Sequence, residues 1–496
     1  MFQKNEYLMK KTYLLLLVLF VLVFQNVNAQ YQITSENLIK TVSYLSSKEL
    51  QGRLGGSKGY FEAANFMANE FAEIGLIPFN KNSYFQNLKV EYNQILPKAE
   101  FSIYKDGNFI KKYNLGKDYV FRGFSGAGDI NAQVVFAGYG ISIQEYDDYK
   151  NIDVKGKIVL VFKYNPKWKI DGVNFPSSLP REKARVAREH GAVGIMFISF
   201  PNDKNPQQPI GSTMHGNGEQ VNIPQIHIDL PVANEFFEGS KYTLKELQTK
   251  IDSEKTNLSF ALKSEAKIFV ETEYVKDKET VNVIGIYPGS DEKLKDEFVI
   301  LGAHLDHVGG QAGEIYFPGA NDNASGSASV LEVARMFAKN KLETKRSVMF
   351  VLFSNEESGL EGAEYLANNL GFDSNKVTAM LNMDCIAHGD SIQLGNGNSA
   401  PNLWQMAKKI DSENAKLSII NTWSGGGADA TPFHEKRIPS LYFVTKNSYT
   451  HLHCLTDTPK TLNPKLYEGI TNLAYLTILN LAKGEYEREV IAERVK

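Results

Sequence analysis

Cysteine is almost absent from this sequence, because the 496 residues contain Cys385 and Cys454 only. A chain of this length with two cysteines does not depend on a disulfide framework for its fold. From the sequence, one bridge between the two cysteines and two buried thiols are both open. The 43% hydrophobic and 22% charged content is that of a globular protein with room for two or three domains.

Runs of basic residues are also missing. The formal net charge at pH 7 is −3, and lysine and arginine are spread along the chain. This balance excludes nucleic acid and an anionic membrane surface as expected partners. After the N-terminus, no apolar run approaches the ~20 residues that cross a bilayer, so we expect no stable membrane insertion. The sequence does not indicate an oligomeric state.

The N-terminus carries the one long apolar run. Lys10 and Lys11 precede TYLLLLVLFVLVF, and the small-residue segment QNVNAQ follows. A basic, then apolar, then small-residue order is typical of a secretory signal peptide. We therefore predict a signal peptide over 1–29, cleaved after Ala29, and export to the periplasm or the extracellular space.

The pattern becomes regular after about residue 278. Five strongly apolar runs are predicted strands: VNVIGIYPG, EFVILGAHLD, RSVMFVLFSN, VTAMLNMDC and SLYFVTKN. Helical patterns near 324–340, 360–370, 402–411 and 464–482 lie between or after them. Apolar strands that alternate with helices predict an α/β fold with a mainly parallel sheet covered on both faces. An earlier helix is predicted over 57–76.

Polar side chains follow these predicted strands, where chemistry is expected in such sheets. The candidates are His304, Asp306, Asp322, Glu356, Glu357, Asp384 and His453. Alone, each has an ordinary interpretation: Asp322 as a helix cap, for example, or the two adjacent glutamates as a solvated pair. Together, imidazoles and carboxylates at one edge of a sheet form a donor set that suits zinc.

A cysteine nucleophile is the alternative chemistry. Cys454 follows His453, and Cys385 lies near His388. Neighbours along an extended stretch point to opposite faces, so Cys454 is expected to face away from whatever His453 binds. The sequence also lacks the G-x-S-x-G motif of a serine nucleophile elbow. A nucleophilic cysteine or serine is therefore disfavoured.

The motifs AHLDHVG, PGANDNASGSASVLE, SNEESGLEGAEYL, LNMDCIAHG and HCLTDTPKTL resemble, in this order, the co-catalytic zinc aminopeptidases. That family includes bacterial leucyl aminopeptidases, glutamate carboxypeptidase II, secretory glutaminyl cyclases and the transferrin receptor. The resemblance covers about 278–485 and extends to 31–95. Between them, NAQVVFAGYG, KGKIVLV and HGAVGIMF resemble a protease-associated (PA) domain.

The resemblance implies a fold: a mainly parallel mixed sheet flanked by helices on both faces, with an inserted, smaller, β-rich PA domain. We divide the chain accordingly. The predicted parts are the signal peptide (1–29), the N-terminal part of the peptidase domain (30–100), the PA domain insert (101–265), the zinc peptidase catalytic domain (266–485) and a C-terminal tail (486–496).

The resemblance also implies two zinc ions and a role for each candidate. His304 and Asp384 match the ligands of one ion. Glu357 and His453 match the ligands of the other, and Asp322 matches the carboxylate that bridges them.

Two further carboxylates have roles beside the ions. Asp306 matches the residue that orients the His304 imidazole. Glu356 matches the general base that takes a proton from a zinc-activated water. The motif's register selects Glu356 over Glu357, because charge cannot separate two adjacent glutamates.

The sequence departs from the family at two places. Many relatives have a tyrosine before the last histidine ligand, and here that position is Leu452. Tyr449 or His451 takes over its role in stabilising the oxyanion, or the role is absent. Arg437 replaces a glycine near the substrate loop, where it either favours a substrate carboxylate or faces solvent.

The sequence thus predicts an exported aminopeptidase that acts on peptides with a free N-terminus. A carboxypeptidase for acidic C-terminal residues is the second hypothesis, and it requires a cluster of arginines in the pocket. A receptor-like, non-catalytic member is the third, and it would show loss of ligands. A glutaminyl cyclase fits poorly, because that branch binds a single zinc ion.

Overall fold

The computed structural model describes residues 30–170, 173–213 and 220–491. The predicted signal peptide, 1–29, lies outside these residues. Among the residues described, none of the helices combines the length and the apolar character needed to cross a bilayer.

The described residues form ten α-helices and sixteen strands. The helices are α1 (Ser35–Leu45), α2 (Lys58–Glu73), α3 (Pro180–Glu189), α4 (Leu230–Phe236), α5 (Leu244–Glu254), α6 (Ser325–Lys339), α7 (Glu361–Asn368), α8 (Pro401–Glu413), α9 (Ala430–Glu435) and α10 (Pro464–Ala482). The strands are β1 (Ile77–Pro78), β2 (Phe85–Lys105), β3 (Asn108–Lys112), β4 (Tyr119–Phe121), β5 (Gly128–Phe136), β6 (Ile158–Phe162), β7 (Gly194–Ile198), β8 (Gln225–Ile228), β9 (Phe260–Tyr287), β10 (Phe298–His304), β11 (Gly310–Gln311), β12 (Ile315–Tyr316), β13 (Ser347–Phe353), β14 (Val377–Met383), β15 (Ile392–Gly395) and β16 (Ser440–Thr445).

The peptidase part is built on a mixed sheet in the order β15-β16-β14-β10-β13-β9. Strands β16, β14, β10 and β13 are parallel, whereas β9 and β15 run antiparallel to their neighbours. Successive side chains of a strand face opposite sides of a sheet. Val348 accordingly packs with α1, α2, α6 and α10, and Met349 packs with α7 and α9. Helices therefore cover both faces, as predicted.

The insert has its own group of strands and its own apolar cores. Strands β5, β6, β7 and β8 are parallel, and β4 closes the edge in antiparallel pairing with β8. Two apolar clusters cover the two faces of this sheet; Phe136 lies in one and Val135 in the other. This smaller β-rich unit confirms the predicted inserted module.

Two long strands join the parts. β2 pairs antiparallel with β9, from Phe85 opposite Val283 to Lys105 opposite Ser264. β9 pairs with β13 of the peptidase sheet at one end and with β5 of the insert at the other. One continuous sheet therefore runs through both parts, and these strands cross the predicted boundaries after residues 100 and 265.

Candidate metal site

The carboxyl ends of the parallel strands bring the predicted residues together. His304 is the last residue of β10, and Asp384 directly follows β14. Glu356 and Glu357 lie in the turn after β13, and Asp322 lies in an irregular turn just before α6. This edge of the sheet is where an α/β fold places its site.

Asp322 lies between the two predicted ligand pairs. Its Oδ1 is 3.3 Å from Nε2 of His304, and its Oδ2 is 3.1 Å from Nε2 of His453. Oδ1 of Asp384 is 3.4 Å from the same His304 nitrogen. Oε2 of Glu357 is 2.8 Å from Nε2 of His453. The structure thus forms two donor sets that share one carboxylate.

These donor atoms fit zinc ions. Zinc accepts imidazole nitrogen and carboxylate oxygen at about 2.0–2.2 Å in tetrahedral geometry, which places neighbouring ligand atoms roughly 3.3 Å apart. The separations between the donors, 2.8–3.4 Å, match that spacing. The donor chemistry and the burial of the groups therefore suit a metal site, with Asp322 as the shared ligand.

His307 also belongs to this cluster, although the sequence analysis did not select it. Its Nδ1 is 2.7 Å from Oε1 of Glu357, and it groups with Asp322, Glu357 and His453. Its Nε2 is buried and has no hydrogen-bond partner among the described atoms. The signal in the sequence is the second histidine of H-L-D-H, three residues after His304.

Asp306 holds the turn that carries the two glutamates. Its carboxylate accepts hydrogen bonds from the backbone N–H of Glu356 (3.1 Å) and of Glu357 (3.3 Å). Nδ1 of His304 is 3.2 Å from the backbone carbonyl oxygen of Asp306 and 3.8 Å from its carboxylate. The carbonyl, more than the carboxylate, therefore orients the imidazole.

The site holds its carboxyl groups in different states. Burial raises the pKa of Glu356 well above its ordinary value; the His304 imidazole opposes this shift, and the Glu357 carboxylate adds to it. Burial also favours the neutral form of Asp322, but hydrogen bonds from His304 and His453 outweigh it and lower that pKa well below its ordinary value. These surroundings therefore raise the proton affinity of Glu356 relative to that of Asp322.

Asp429 is a second residue that the sequence analysis missed. It is fully buried, and neither of its carboxyl oxygens has a hydrogen-bond partner among the described atoms. Burial raises its pKa well above the ordinary value, and His304 partly opposes that shift. It lies in the glycine-rich stretch WSGGGADATPF. A single acidic residue between two alanines forms no sequence motif that would predict a role in the site.

Asp457 and Arg53 support the loop that carries Asp322. The Asp457 carboxylate accepts from the backbone N–H of Asn321 (2.9 Å) and of Asp322 (3.1 Å). The buried Arg53 guanidinium donates to the carbonyl oxygens of Leu305 (2.9 Å), Pro318 (2.9 Å) and Gly319 (3.0 Å). An N-terminal residue thereby fixes the loop after β10 against the loop before α6.

The donors open onto a cleft of about 440 Å³. Its lining residues are Ser212, Asp322, Glu356, Glu357, Gly359, Leu360, Asp384, Cys385, Ala428, Tyr442, Tyr449, Leu452 and His453. The hydroxyl of Tyr442 donates to Oδ2 of Asp384 (3.0 Å) and lies 3.1 Å from the hydroxyl of Tyr449. His451 does not line the cleft, and its Nδ1 lies 2.9 Å from Oγ1 of Thr456. Arg437 is exposed and also lies outside this lining.

Both cysteines are free, buried thiols. Burial raises the pKa of Cys385 well above its ordinary value and also raises the pKa of Cys454. A thiolate is the nucleophilic form of cysteine, so these surroundings oppose a nucleophilic role. Of the two alternatives left open by the sequence, the structure therefore has two separate thiols and no disulfide between Cys385 and Cys454.

The fold and the clustered imidazole and carboxylate donors define an α/β domain with a candidate metal centre, interrupted by a smaller module. Residues 282–478 match the model of peptidase family M28, and residues 130–236 match the model of the PA domain. The chain therefore contains a peptidase family M28 domain and, before it, a PA domain.

Known proteins agree with this assignment. The chain is similar to aminopeptidase YwaD of Bacillus subtilis, at 22% identity over 392 residues, 77% of this chain and 74% of that protein. It is 32% identical over 191 residues to a probable leucine aminopeptidase of Trichophyton verrucosum, 37% of this chain and 52% of that protein. The chain thus spans about half the length of that fungal relative.

A solved structure of a zinc aminopeptidase from Bacillus subtilis, called BSAP, has the same fold. It aligns with a TM-score of 0.63 at 19% identity and covers 93% of this chain and 99% of that chain. The alignment therefore extends over the peptidase part and the insert together.

Proposed function

We propose that this chain is an exported aminopeptidase that removes N-terminal residues from peptides with two zinc ions and Glu356 as general base. The observation that carries the proposal is the position of Asp322, whose two oxygens face two different histidines. A carboxylate in this position suits a bridge between two ions, because it offsets the charge that separates them. The similarity to proteins named aminopeptidases supports the reaction.

Each residue has a defined task in this reaction. Zinc ions held by the five ligands would supply Lewis acidity to the scissile carbonyl and to a water molecule. Glu356, whose Oε2 lies 3.9 Å from Nε2 of His304, takes the proton of that water and passes it to the departing amine. The Asp306 carboxylate keeps Glu356 in place by accepting a hydrogen bond from the backbone N–H of Glu356. The hydroxyl of Tyr449, rather than His451, is within the cleft to stabilise the oxyanion.

The described part of the cleft lacks the cluster of arginines that the carboxypeptidase hypothesis requires. Its described lining contains neither arginine nor lysine. An acidic C-terminal side chain is best bound by arginine, and the carboxylates of this lining are those assigned to the zinc ions and to the general base. This lining argues against the carboxypeptidase hypothesis. The complete donor set and Glu356 argue against a receptor-like, non-catalytic member.

The decisive experiment measures zinc and cleavage on the same preparation. We expect about two zinc ions per mature chain, turnover of aminoacyl-nitroanilides, and no cleavage of N-acetylated or C-terminal-glutamate peptides. Glu356→Gln should lower kcat by about 10²- to 10⁴-fold, the usual contribution of a general base, and keep both zinc ions. Glu357→Gln should instead lose zinc.

Glu364→Gln is the matched control, because it makes the same change at an exposed glutamate of α7. It should keep both zinc content and kcat. Cleavage of blocked N-termini, or loss of zinc from Glu356→Gln, would contradict the proposed reaction or the assigned roles. Export is tested separately by the N-terminal sequence of the secreted protein, which should begin at Gln30.

A further inference from the structure

A loop of the insert, residues 207–213, lies between the two parts of the molecule; we call it the PA loop. The insert fixes it at several points. The Gln207 side chain accepts from Nζ of Lys163 (2.6 Å), and the Gln207 carbonyl accepts from Oγ of Ser199 (2.6 Å). The Ser212 carbonyl accepts from the backbone N–H of Gly123 (2.8 Å). The PA loop is therefore held by the body of the insert.

The other side of the PA loop contacts the segment that carries a metal-ligand candidate. The backbone N–H of Gly211 donates to the carbonyl oxygen of His453 (3.0 Å). In return, Nδ1 of His453 lies 3.2 Å from the carbonyl oxygen of Gly211. Nε2 of Gln208 is 3.0 Å from Sγ of Cys454. Gly211 thus contacts both the backbone and the imidazole of His453.

The Gly211 carbonyl determines which imidazole nitrogen is available. A carbonyl oxygen only accepts hydrogen bonds, so Nδ1 of His453 carries the hydrogen. In the neutral imidazole, the lone pair is then on Nε2, which faces Asp322 and Glu357. His304 is held in the same way, but by the carbonyl of Asp306 within the peptidase part. Of the two proposed histidine ligands, His304 is therefore oriented by its own domain and His453 by the insert.

We propose that the PA domain is a structural part of the metal site, with Gly211 as a positioning residue that orients His453 for metal binding. Ser212, the next residue, lines the cleft, so the same loop also forms part of the cleft wall. The inference rests on the proposed two-zinc function and adds a specific consequence. The insert controls the affinity of the His453 donor set for metal, in addition to the shape of the cleft.

A methyl group at Gly211 offers a way to move the loop. A Cβ there would lie 2.7 Å from Cγ2 of Val308 and 3.1 Å from two ring atoms of Phe317. Both neighbours are buried, so the PA loop must shift away from them and carry the Gly211 carbonyl with it. In Gly211→Ala/Val308→Ala the 2.7 Å contact is removed, and the loop regains its place.

Gly194→Ala is the matched control. Its Cβ would lie 2.6 Å from Cδ1 of Ile130, inside the insert and away from the PA loop. It therefore places a methyl group at a similar distance from an apolar side chain in the same domain, without contact to His453.

Zinc affinity, measured by competition with a chromophoric chelator, is the primary readout, and kcat and KM are secondary. In Gly211→Ala we expect one of the two zinc ions to bind about tenfold or more weakly, as for other residues that orient a ligand, and the other to bind as in the wild type. The double variant should regain most of this affinity. Gly194→Ala should bind both ions normally.

Wild-type affinity for both ions in Gly211→Ala would overturn the inference, and so would an equal loss in Gly194→Ala. If Gly211→Ala does not fold, Gln208→Ala is the second variant, because it removes the contact of the loop with Cys454 without adding atoms. It should weaken the binding of one zinc ion by a smaller factor. Unchanged zinc affinity in Gln208→Ala would also overturn the inference. The wild-type protein tests the proposed function alone: if it binds no zinc or leaves free N-termini intact, that proposal fails whatever the variants do.

Discussion

Lys163 is a buried lysine beneath the PA loop and donates to Gln207. Burial, and then the nearby Arg122 guanidinium, lower its pKa from 10.5 to about 6. Between pH values of about 6 and 10.5, the Lys163 side chain is therefore protonated in the unfolded chain and neutral in the folded protein. The free energy of unfolding therefore rises with pH across this window, and the penalty from Lys163 is greatest near and below pH 6.

Lys163→Met should remove this penalty. We expect the melting temperature of the variant, relative to the wild type, to increase as the pH is lowered from 9 to 7. The lost hydrogen bond to Gln207 costs about 1 kcal/mol at every pH, so the slope with pH is the informative quantity. Lys167→Met, at a side chain that is 80% exposed, is the control and should show no such slope. A difference in melting temperature between Lys163→Met and the wild type that stays constant from pH 9 to pH 7 would contradict the prediction.

Motif order was sufficient to select residues that the fold brings together, because each one follows a predicted strand or begins a predicted helix. It could not indicate His307 or Asp429. Their positions near the site depend on contacts across the fold: His307 contacts Glu357, fifty residues away in sequence, and the His304 imidazole influences the buried Asp429. The same limit applies to Gly211, which lies in a loop without any pattern and contacts a residue 242 positions later.

Among the elements, five strands of the peptidase sheet and four helices after residue 320 follow the predicted pattern, whereas β15 and α9 were not predicted. β2 does not, because its sequence, FQNLKVEYNQILPKAEFSIYK, contains Pro97 and several exposed polar residues. Proline inside a run normally argues against a strand. Here the strand passes through with an irregularity in its pairing with β9 between Ile95 and Ala99. Long-range pairing with β9, which the local sequence does not encode, compensates for this break.

The start of α6 shows how closely two elements must approach to form the site. Nδ2 of Asn323 donates to the carbonyl oxygen of Met383 (2.9 Å), which links the turn after Asp322 to the end of β14. A Cβ at Gly326 would overlap that carbonyl oxygen and the Asn323 side chain. Only glycine therefore allows the helix to begin this near to Asp384.

Gly326→Ala should push α6 away from β14. We expect the free energy of unfolding to fall by about 1–3 kcal/mol or more, since the overlap involves backbone. We also expect zinc to be lost, because Asp322 and Asp384 lie on the two separated elements. Gly469→Ala, within α10, is the control. Its nearest neighbour is the flexible end of Leu417, so its stability should stay the same or rise by up to about 1 kcal/mol. Normal zinc content in Gly326→Ala would contradict this account.

At the scale of the whole molecule, the peptidase part and the insert have separate apolar cores but share two strands. The ladder between β2 and β9 crosses from one part to the other, and the PA loop adds contacts to His453 and Cys454. Unfolding the insert would remove β5 as the partner of Phe260–Val270 of β9, while Val283–Tyr287 of the same strand pair with β13. We therefore expect the two parts to unfold together.

Tryptophan positions make this testable, because Trp168 lies in the insert while Trp404 and Trp423 lie in the peptidase part. In a Trp168→Phe background, fluorescence reports on the peptidase part alone. Phe136→Ala in the core of the insert should cost about 3–5 kcal/mol. If the two parts unfold together, Phe136→Ala lowers the denaturant midpoint measured by fluorescence as much as the midpoint measured by circular dichroism. Phe109→Ala, at a side chain that is 58% exposed, should leave both midpoints unchanged. Two separate transitions, with the fluorescence midpoint unmoved by Phe136→Ala, would mean that the shared strands do not couple the parts.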